Sequence, residues 1–133
     1  MSAPPFRHTV RVYWEDTDAG GIVFYANFLK FFERSRTEWL RSLGLEQQAL
    51  REATGAIFIV AETQVRFLRP ARLDDLIEVS AELRERGRAS MRLMQQATRG
   101  TELLAEGDIR IGCVDALTLR PRRFPEPLTD CLP

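Results

Sequence analysis

Two aspartates, Asp16 and Asp18, precede a pair of glycines, Gly20 and Gly21, in the segment EDTDAGG. Because glycine has no Cβ atom, these positions allow a sharp backbone turn or the close approach of a ligand. A carboxylate on such a turn can act as a nucleophile or as a general base. Aspartates before helices usually shape and cap the turn, and we expect that structural role for Asp16.

The residues after the glycines predict a long helix with a broad apolar face. Aromatic and leucine side chains recur at three- and four-residue spacing, and we expect burial on more than one side of the helix. These residues, with one serine among them, are Phe24, Phe28, Phe31, Phe32, Ser35, Trp39, Leu29, Leu40 and Leu43. The first turn of a helix has unpaired backbone N–H groups and a positive dipole end. The sequence thus places Asp18 beside a group that can stabilise an anion.

Length and charge limit the class of protein. The 133 residues are enough for one domain, residues 1–133, and too few for two. Because 19 basic residues balance 19 acidic ones, the net charge argues against a nucleic-acid binder or a membrane-surface protein. The sequence contains no secretory h-region and no run of membrane-spanning length, so we expect no membrane span and a cytoplasmic location.

Metal and disulfide chemistry are not expected. Cys113 and Cys131 are too few for a disulfide framework and lack the spacing of a zinc site, and Cys113 is expected to be an inert core residue. DTDAGG starts like a calcium-binding loop, but Gly20 and Asn27 occupy its fifth and twelfth positions, where ligands are required. We therefore expect no metal and no bound cofactor.

Periodicity predicts one strand, two helices and then four strands. The strands are expected over residues 6–14, 56–68 with a bend near Ala61, 76–86, 90–98 and 102–114, and the short second helix over 46–53. Short turns make the last three strands antiparallel neighbours. Prolines predict irregular ends at residues 1–5 and about 120–133. The fold class is α+β, with one antiparallel five-stranded sheet around one apolar helix.

Four segments resemble a known family in their order along the chain. The segments are VRVYWEDTD, DTDAGGIVFYANFLKFFERSRTEWL, VRFLRPARLDDLIEV and CVDALTLRPR. They resemble the hotdog-fold 4-hydroxybenzoyl-CoA thioesterase family, especially its bacterial YbgC-like branch associated with the Tol–Pal system. The resemblance implies the hotdog fold and hydrolysis of an acyl-CoA thioester. It also implies a homodimer with one continuous sheet, often doubled into a homotetramer, with active sites at the dimer interface.

The resemblance also assigns catalytic roles. Asp18 matches the catalytic aspartate, which attacks the thioester carbonyl or activates a water, and the backbone N–H of Tyr25 matches the group that polarises this carbonyl. The chemistry is consistent, because a thiol with a pKa of about 8.5 leaves without an acid catalyst. Nucleophile and general base both remain open for Asp18, with a slight preference for the nucleophile.

Further residues are expected to bind substrate. Trp14, Asp16 and Asn27 lie in the signature around Asp18, and for Asn27 a capping role is the alternative. Arg88, Ser90, Arg120 and Arg122 lie in segments resembling those that meet the nucleotide end of coenzyme A, although each could equally be an ordinary surface residue. Many YbgC-like proteins have Tyr at the position of Trp14 and His at that of Tyr25, whereas Tyr25 matches the hydroxybenzoyl-type branch.

The sequence leaves three alternatives. A hotdog-fold dehydratase or hydratase normally needs a catalytic histidine, and His8, the one histidine, lies in a predicted strand where we expect a structural or surface role. Acyl carrier protein could replace coenzyme A as the thiol carrier. A non-catalytic scaffold that docks acyl carrier protein or lipid-synthesis enzymes near the Tol–Pal envelope system is the alternative from a different class.

Overall fold

The computed structural model describes residues 4–133, so the first three residues of the expected irregular N-terminal segment lie outside the described part. The strands are β1 (Phe6–Arg11), β2 (Ala56–Phe67), β3 (Leu76–Arg86), β4 (Ser90–Arg99) and β5 (Glu102–Asp115), and the helices are α1 (Asn27–Ser42), α2 (Gln47–Thr54) and α3 (Glu126–Cys131). A single 3₁₀ turn, Trp14–Asp16, follows β1, which therefore ends three residues earlier than predicted.

The strands form one antiparallel five-stranded sheet in the order β1-β3-β4-β5-β2. The predicted neighbours β3, β4 and β5 are adjacent, and β1 and β2 are the two edges. The bend predicted near Ala61 is confirmed, since the pairing of β2 with β5 shifts between Val60 and Glu62. An extra residue at this point bends the strand and increases its local twist.

The core lies between α1 and one face of the sheet. Its strand side consists of alternate residues, Met91, Leu93 and Ala97 on β4 and Ile109, Ile111 and Cys113 on β5, all buried. Cys113 is confirmed as a core residue, and burial raises the pKa of its thiol, opposed by the charge of Arg122. Burial of each larger aliphatic side chain stabilises the fold by roughly 1.5–3 kcal/mol.

The prediction that α1 is buried on more than one side is wrong. The buried residues of the helix form one face, whereas Leu29 is 45% exposed, and Phe24 precedes the helix and is 44% exposed. The reason is that α1 packs mainly on β1, β3 and β4. The side of α1 that faces the β2 edge is consequently left uncovered within one protomer.

The prediction of an irregular C-terminal tail is also wrong in part. Glu126–Cys131 form the short helix α3, in which Pro127 lies in the first turn, where its missing N–H has no intrahelical acceptor. Leu128 is fully buried, and the Arg86 guanidinium donates to the carbonyls of Thr129 and Leu132 at 2.6 and 3.3 Å. Tertiary contacts therefore stabilise a helix that the proline content argued against.

Polar bonds fix α1 against the sheet inside the core. Gln95 is fully buried, and its Nε2 donates to the carbonyls of Phe32 in α1 and Ser80 in β3, at 3.0 and 3.1 Å. Its Oε1 accepts a bond of 3.0 Å from Arg36, whose pKa is lowered by burial and raised in part by Glu33. The helix thus has one preferred rotation about its axis, because any other rotation would break buried hydrogen bonds.

Among residues 4–133, no helix combines the length and apolarity needed to cross a membrane.

Candidate active site

Asp18 begins a tight turn that leaves its carboxylate exposed. Its carbonyl accepts from Gly21 N–H at 3.0 Å, and its own N–H donates to the Ile22 carbonyl at 2.9 Å. Oδ1 accepts from Gly20 N–H at 2.8 Å, whereas Oδ2 accepts no hydrogen bond from residues 4–133. The turn therefore orients the carboxylate through one oxygen and leaves the other free to react.

Both glycines of the turn suit this geometry. A Cβ atom on Gly20 would lie 3.2 Å from Oδ1 of Asp18, closer than most real Cβ contacts. Gly21 has a φ of +79°, in the left-handed region that favours glycine. The spacing of Asp18 and the two glycines thus sets the position of the carboxylate.

Asp16 ties this turn to the start of α1. The Asp16 side chain is buried, and its Oδ2 accepts from Tyr13 N–H at 2.8 Å. Its carbonyl accepts two bonds, from Phe24 N–H at 2.9 Å and from Asn27 Nδ2 at 2.8 Å. Asn27 is the first residue of α1 and is also buried. These bonds hold the turn and the helix N-terminus in a fixed relative position.

The helix N-terminus offers free backbone donors next to this turn. The N–H groups of Asn27 and Phe28 donate to the carbonyls of Phe24 and Tyr25, at 2.8 and 3.2 Å. Those of Tyr25 and Ala26 donate to no acceptor within the described residues. Unpaired N–H groups at the positive end of a helix dipole can stabilise an oxyanion, so Tyr25 N–H is geometrically suited to polarise a carbonyl.

An aromatic patch, formed by Phe24, Tyr25, Phe28 and Phe67, lies at this end of the molecule. The Tyr25 ring centroid is 4.9 Å from that of Phe24 and 5.7 Å from that of Phe67, and those of Phe28 and Phe67 are 5.8 Å apart. Tyr25 is 62% exposed, and Phe24 and Phe67 are about half exposed. Phe28 is buried beneath these three rings, and the patch is an apolar surface beside the Asp18 turn.

The four residues predicted to meet the nucleotide lie in one region of the protomer. Arg88 accepts a bond from Phe124 N–H through its carbonyl, at 2.8 Å, and Ser90 begins β4. The Arg120 carbonyl accepts from Asp115 N–H at 2.9 Å, at the end of β5. The Arg122 guanidinium donates to the Thr54 carbonyl at the end of α2, at 2.8 Å, so this side chain also has a structural role.

This region is far from Asp18 in one protomer. Thr54 precedes Ala56 at the start of β2, whereas Tyr25 contacts Phe67 at its end. A strand of 12 residues spans about 36 Å. The structure thus separates the predicted nucleotide-binding residues from the predicted catalytic residues, a separation that the linear sequence does not reveal.

Trp14 and His8 line two further clefts of the protomer. Trp14 is exposed on the 3₁₀ turn and lines an open cleft of about 710 Å³ with Tyr13 and Leu73. His8 is half-buried on β1 and lines a smaller cleft with Glu15. His8 forms no side-chain hydrogen bond with Asp18 in residues 4–133, and the acidic residues that line its cleft are Glu15 and Asp16.

Two features of the surface were not anticipated from the sequence. A cavity of about 200 Å³ lies between the second half of α1 and the start of β2, with Trp39, Phe58 and Ile111 among its lining residues. The loop after β5 exposes two leucines, Leu117 and Leu119. The loop lies within the segment CVDALTLRPR, but the exposure of its leucines could not be predicted, because apolar residues near a strand end are usually assigned to the core.

Comparisons with known proteins agree on one family. Residues 12–132 match the model of the thioesterase-like superfamily. A Haemophilus influenzae protein named acyl-CoA thioesterase YbgC is 41% identical over 121 residues, covering 91% of this chain and 89% of that protein. An Escherichia coli protein named acyl-CoA thioester hydrolase YbgC is 41% identical over 127 residues, covering 95% of this chain and 94% of that protein.

The solved structures confirm the fold. The crystal structure of a probable thioesterase from Bartonella henselae matches with a TM-score of 0.86 at 30% identity, covering 92% of this chain and all of that one (100%). The fold predicted from the sequence, a five-stranded antiparallel sheet around a central helix, is therefore the hotdog fold. On the match over residues 12–132 and on these relatives, the chain belongs to the hotdog-fold thioesterase-like superfamily, in its YbgC-like branch.

Proposed function

We propose that the protein is an acyl-CoA thioesterase, a hydrolase that converts an acyl-CoA to the free acid and coenzyme A. The observation that carries the proposal is the free Oδ2 of Asp18, on a turn that Asp16 and Asn27 fasten to the unpaired N–H groups at the start of α1. The names of the Haemophilus influenzae and Escherichia coli relatives support the reaction class.

Asp18 acts as nucleophile or as general base. As nucleophile, its oxygen attacks the thioester carbonyl carbon, the C–S bond breaks, and a mixed anhydride and a thiolate form. Water then hydrolyses the anhydride and restores the carboxylate. As general base, Asp18 takes a proton from the water that attacks the carbonyl. In both routes Tyr25 N–H stabilises the negative charge on the carbonyl oxygen.

The complete site is formed by a homodimer, or by a homotetramer built from two such dimers. The β2 edge is free in one protomer and exposes Ile59 and Val60, as well as unpaired backbone groups. Two copies of β2 that pair around a two-fold axis run antiparallel, which sets the start of one strand beside the end of the other. This arrangement brings the arginines near Arg122 of one protomer towards the partner's Asp18.

The substrate would then extend from one protomer to the other. Arg88, Ser90, Arg120 and Arg122 would meet the phosphates of coenzyme A, because planar guanidinium groups pair with phosphate oxygens. The acyl group would contact the aromatic patch, and Trp14, Asp16 and Asn27 would border the catalytic turn. Asp16 and Asn27 contribute through their hydrogen bonds to the turn, since both side chains are buried.

The test is thiol release from short-chain, long-chain and aromatic acyl-CoAs by the wild type and by Asp18→Asn. We expect a fall in kcat/KM of at least about 100-fold, since the amide is neither a nucleophile nor a base. Asp130→Asn, at an exposed position in α3, is the matched control and should leave the rate unchanged. Equal rates for wild type and Asp18→Asn would overturn the assignment.

Two further outcomes would point to the alternatives. Hydrolysis of acyl carrier protein thioesters but of no acyl-CoA would change the thiol carrier. Binding without hydrolysis, unaffected by Asp18→Ala, would favour the scaffold. In single-turnover hydrolysis in labelled water, label in the Asp18 peptide would establish the nucleophilic route, because water that opens the anhydride at the aspartyl carbonyl leaves its oxygen on Asp18.

A further inference from the structure

The loop formed by residues 116–119 presents two leucines to solvent at the end of β5. Leu117 is 91% exposed and Leu119 is 64% exposed. Leu119 also has a φ of +59°, in the left-handed region that a bulky side chain rarely adopts. Exposed apolar side chains on a strained backbone stabilise nothing within the protomer, so the loop requires another explanation.

Backbone hydrogen bonds hold this loop in its strained form. Leu119 N–H donates to the Asp115 carbonyl at 2.8 Å, and Asp115 N–H donates to the Arg120 carbonyl at 2.9 Å. Ala116 N–H donates to the Gly55 carbonyl at 2.8 Å, which fastens the loop to the start of β2. Strained residues that their surroundings hold in place occur preferentially at functional sites.

The Asp18 site is open in a single protomer. Asp18 is exposed, and so is most of the ring of Tyr25 beside the free N–H groups. A backbone N–H polarises a carbonyl more strongly where water is excluded, because the local dielectric constant is then lower. The loop of residues 116–119 of the same protomer cannot cover the site, since it lies at the other end of β2.

Self-pairing of β2 places the loop of one protomer at the other's site. The loop is fastened at the Ala56 end of β2, and the aromatic patch contacts the Phe67 end. An antiparallel two-fold pair superimposes these ends, so apolar surface meets apolar surface. In the proposed dimer, the second copy of this chain therefore borders the aromatic patch and encloses, together with it, the space for the acyl group.

We propose that Leu117 and Leu119 of one protomer cover the partner's Asp18 site and form an apolar wall of the channel that admits the acyl thioester. The inference deepens the proposed thioesterase function and rests on it and on the proposed dimer. It assigns to the loop a role in excluding water from the reacting carbonyl, separate from the role of the arginines that follow it.

Leu119→Gly distinguishes a functional loop from a structural one. Glycine relieves the left-handed strain, so the melting temperature should stay the same or rise. The wall loses its side chain, so kcat/KM should fall by about tenfold, and more in Leu117→Asp/Leu119→Gly. An unchanged kcat/KM in the double variant would overturn the proposal, as would a loss of activity that merely follows a loss of folded protein.

A heterodimer tests whether the loop acts on the partner. Asp18→Asn and Leu117→Asp/Leu119→Gly chains are co-expressed with different affinity tags, and the mixed dimer is purified through both tags. If the loop acts across the dimer, one of the two sites has an intact Asp18 and an intact loop, and about half of the wild-type activity returns. If the loop acts within its own chain, no site is intact, and activity stays at or below that of the double variant.

The controls separate failure of this inference from failure of the proposed function. An Asp18→Asn homodimer as active as the wild type would overturn the role of Asp18, and this inference with it. An active wild-type monomer in solution would overturn the dimer and the wall. An inactive Asp18→Asn homodimer with no recovery in the heterodimer would overturn the wall alone and leave the thioesterase assignment in place.

Discussion

The side-chain amide of Asn27 donates to the carbonyl oxygen of Asp16 at 2.8 Å, and this buried bond joins the first residue of α1 to the turn that carries Asp18. The same carbonyl accepts from Phe24 N–H at 2.9 Å. The distance between carboxylate and helix N-terminus thus depends on two bonds to a single oxygen. Catalysis that uses both groups is sensitive to small displacements of either.

Asn27→Ala should impair activity more than stability. Loss of one buried hydrogen bond costs about 1 kcal/mol, because Phe24 N–H still satisfies the Asp16 carbonyl. Displacement of the turn should lower kcat by about tenfold, with a smaller change in KM. Urea unfolding and steady-state kinetics measure the two effects. Gln48→Ala, at an exposed position in α2, is the control, and an unchanged kcat for Asn27→Ala would contradict the positioning role.

Gly20→Ala should lower activity with little effect on stability, whereas Gly21→Ala should lower stability. At Gly20 the new Cβ lies 3.2 Å from Asp18 Oδ1 and pushes the carboxylate, so kcat should fall by about tenfold with little loss of stability. At Gly21 no atom lies within 4 Å of a Cβ, but φ is +79°, so the free energy of unfolding should fall by about 1–2 kcal/mol.

A comparison with asparagine refines the glycine experiment. Asn tolerates the left-handed region better than Ala, so Gly21→Asn should recover part of the stability lost in Gly21→Ala. Thermal unfolding of the three variants beside the wild type provides the measurement. If Gly20→Ala retained full kcat, the orientation of Asp18 by the turn would not matter for the reaction.

Because of Asp75, the free energy of unfolding should depend on pH in the acid range. Burial opposes ionisation of Asp75, but the Arg72 N–H bond and the Arg99 guanidinium, 2.6 Å from Oδ2, outweigh it and lower the pKa of this carboxyl. A lowered folded-state pKa adds stability that is fully present above the unfolded pKa of about 3.9 and is lost as pH falls through the folded value. This ion pair lies close to the candidate site, because Ile22 in the Asp18 turn forms a β-bridge with Arg72.

Asp75→Asn tests this dependence. The variant should be less stable than the wild type above about pH 5, and the difference should shrink as the pH falls below about 4. Urea unfolding across this range measures it, and Asp130→Asn, at an exposed position without an ion pair in residues 4–133, is the matched control. A difference between wild type and Asp75→Asn that does not change with pH would exclude the charge of Asp75 as its cause.

Local patterns predicted most of the fold. Alternating residues defined β3, β4 and β5 within one residue at each end, and the bulge at Ala61 followed from a change in the alternation of β2. These signals are local, since strand periodicity depends on nearby residues. The exposure of Leu29 was not predictable, because it depends on which strands α1 covers, which is a tertiary property.

The sequence did not predict the C-terminal helix α3, for a related reason. Prolines in its sequence predicted irregular structure, but the burial of Leu128 and the bonds from Arg86 depend on residues distant in sequence. At the candidate site, the DTDAGG segment located the turn and the free donors, and the resemblance supplied their proposed roles. The positions of Arg122 and Leu119 relative to Asp18 could not be predicted, since they depend on the length of β2 and on a second chain.

The amide of Gln95 determines which side of α1 can change without moving the start of the helix. It fixes the rotation of α1 through the Phe32 carbonyl, in the N-terminal half of the helix, so the direction of the N–H groups at the start of α1 is set inside the core. The outward side of α1, where Leu29 lies, carries no such constraint. Substitutions on this outward side can therefore accumulate while the start of α1 keeps its position beside the Asp18 turn.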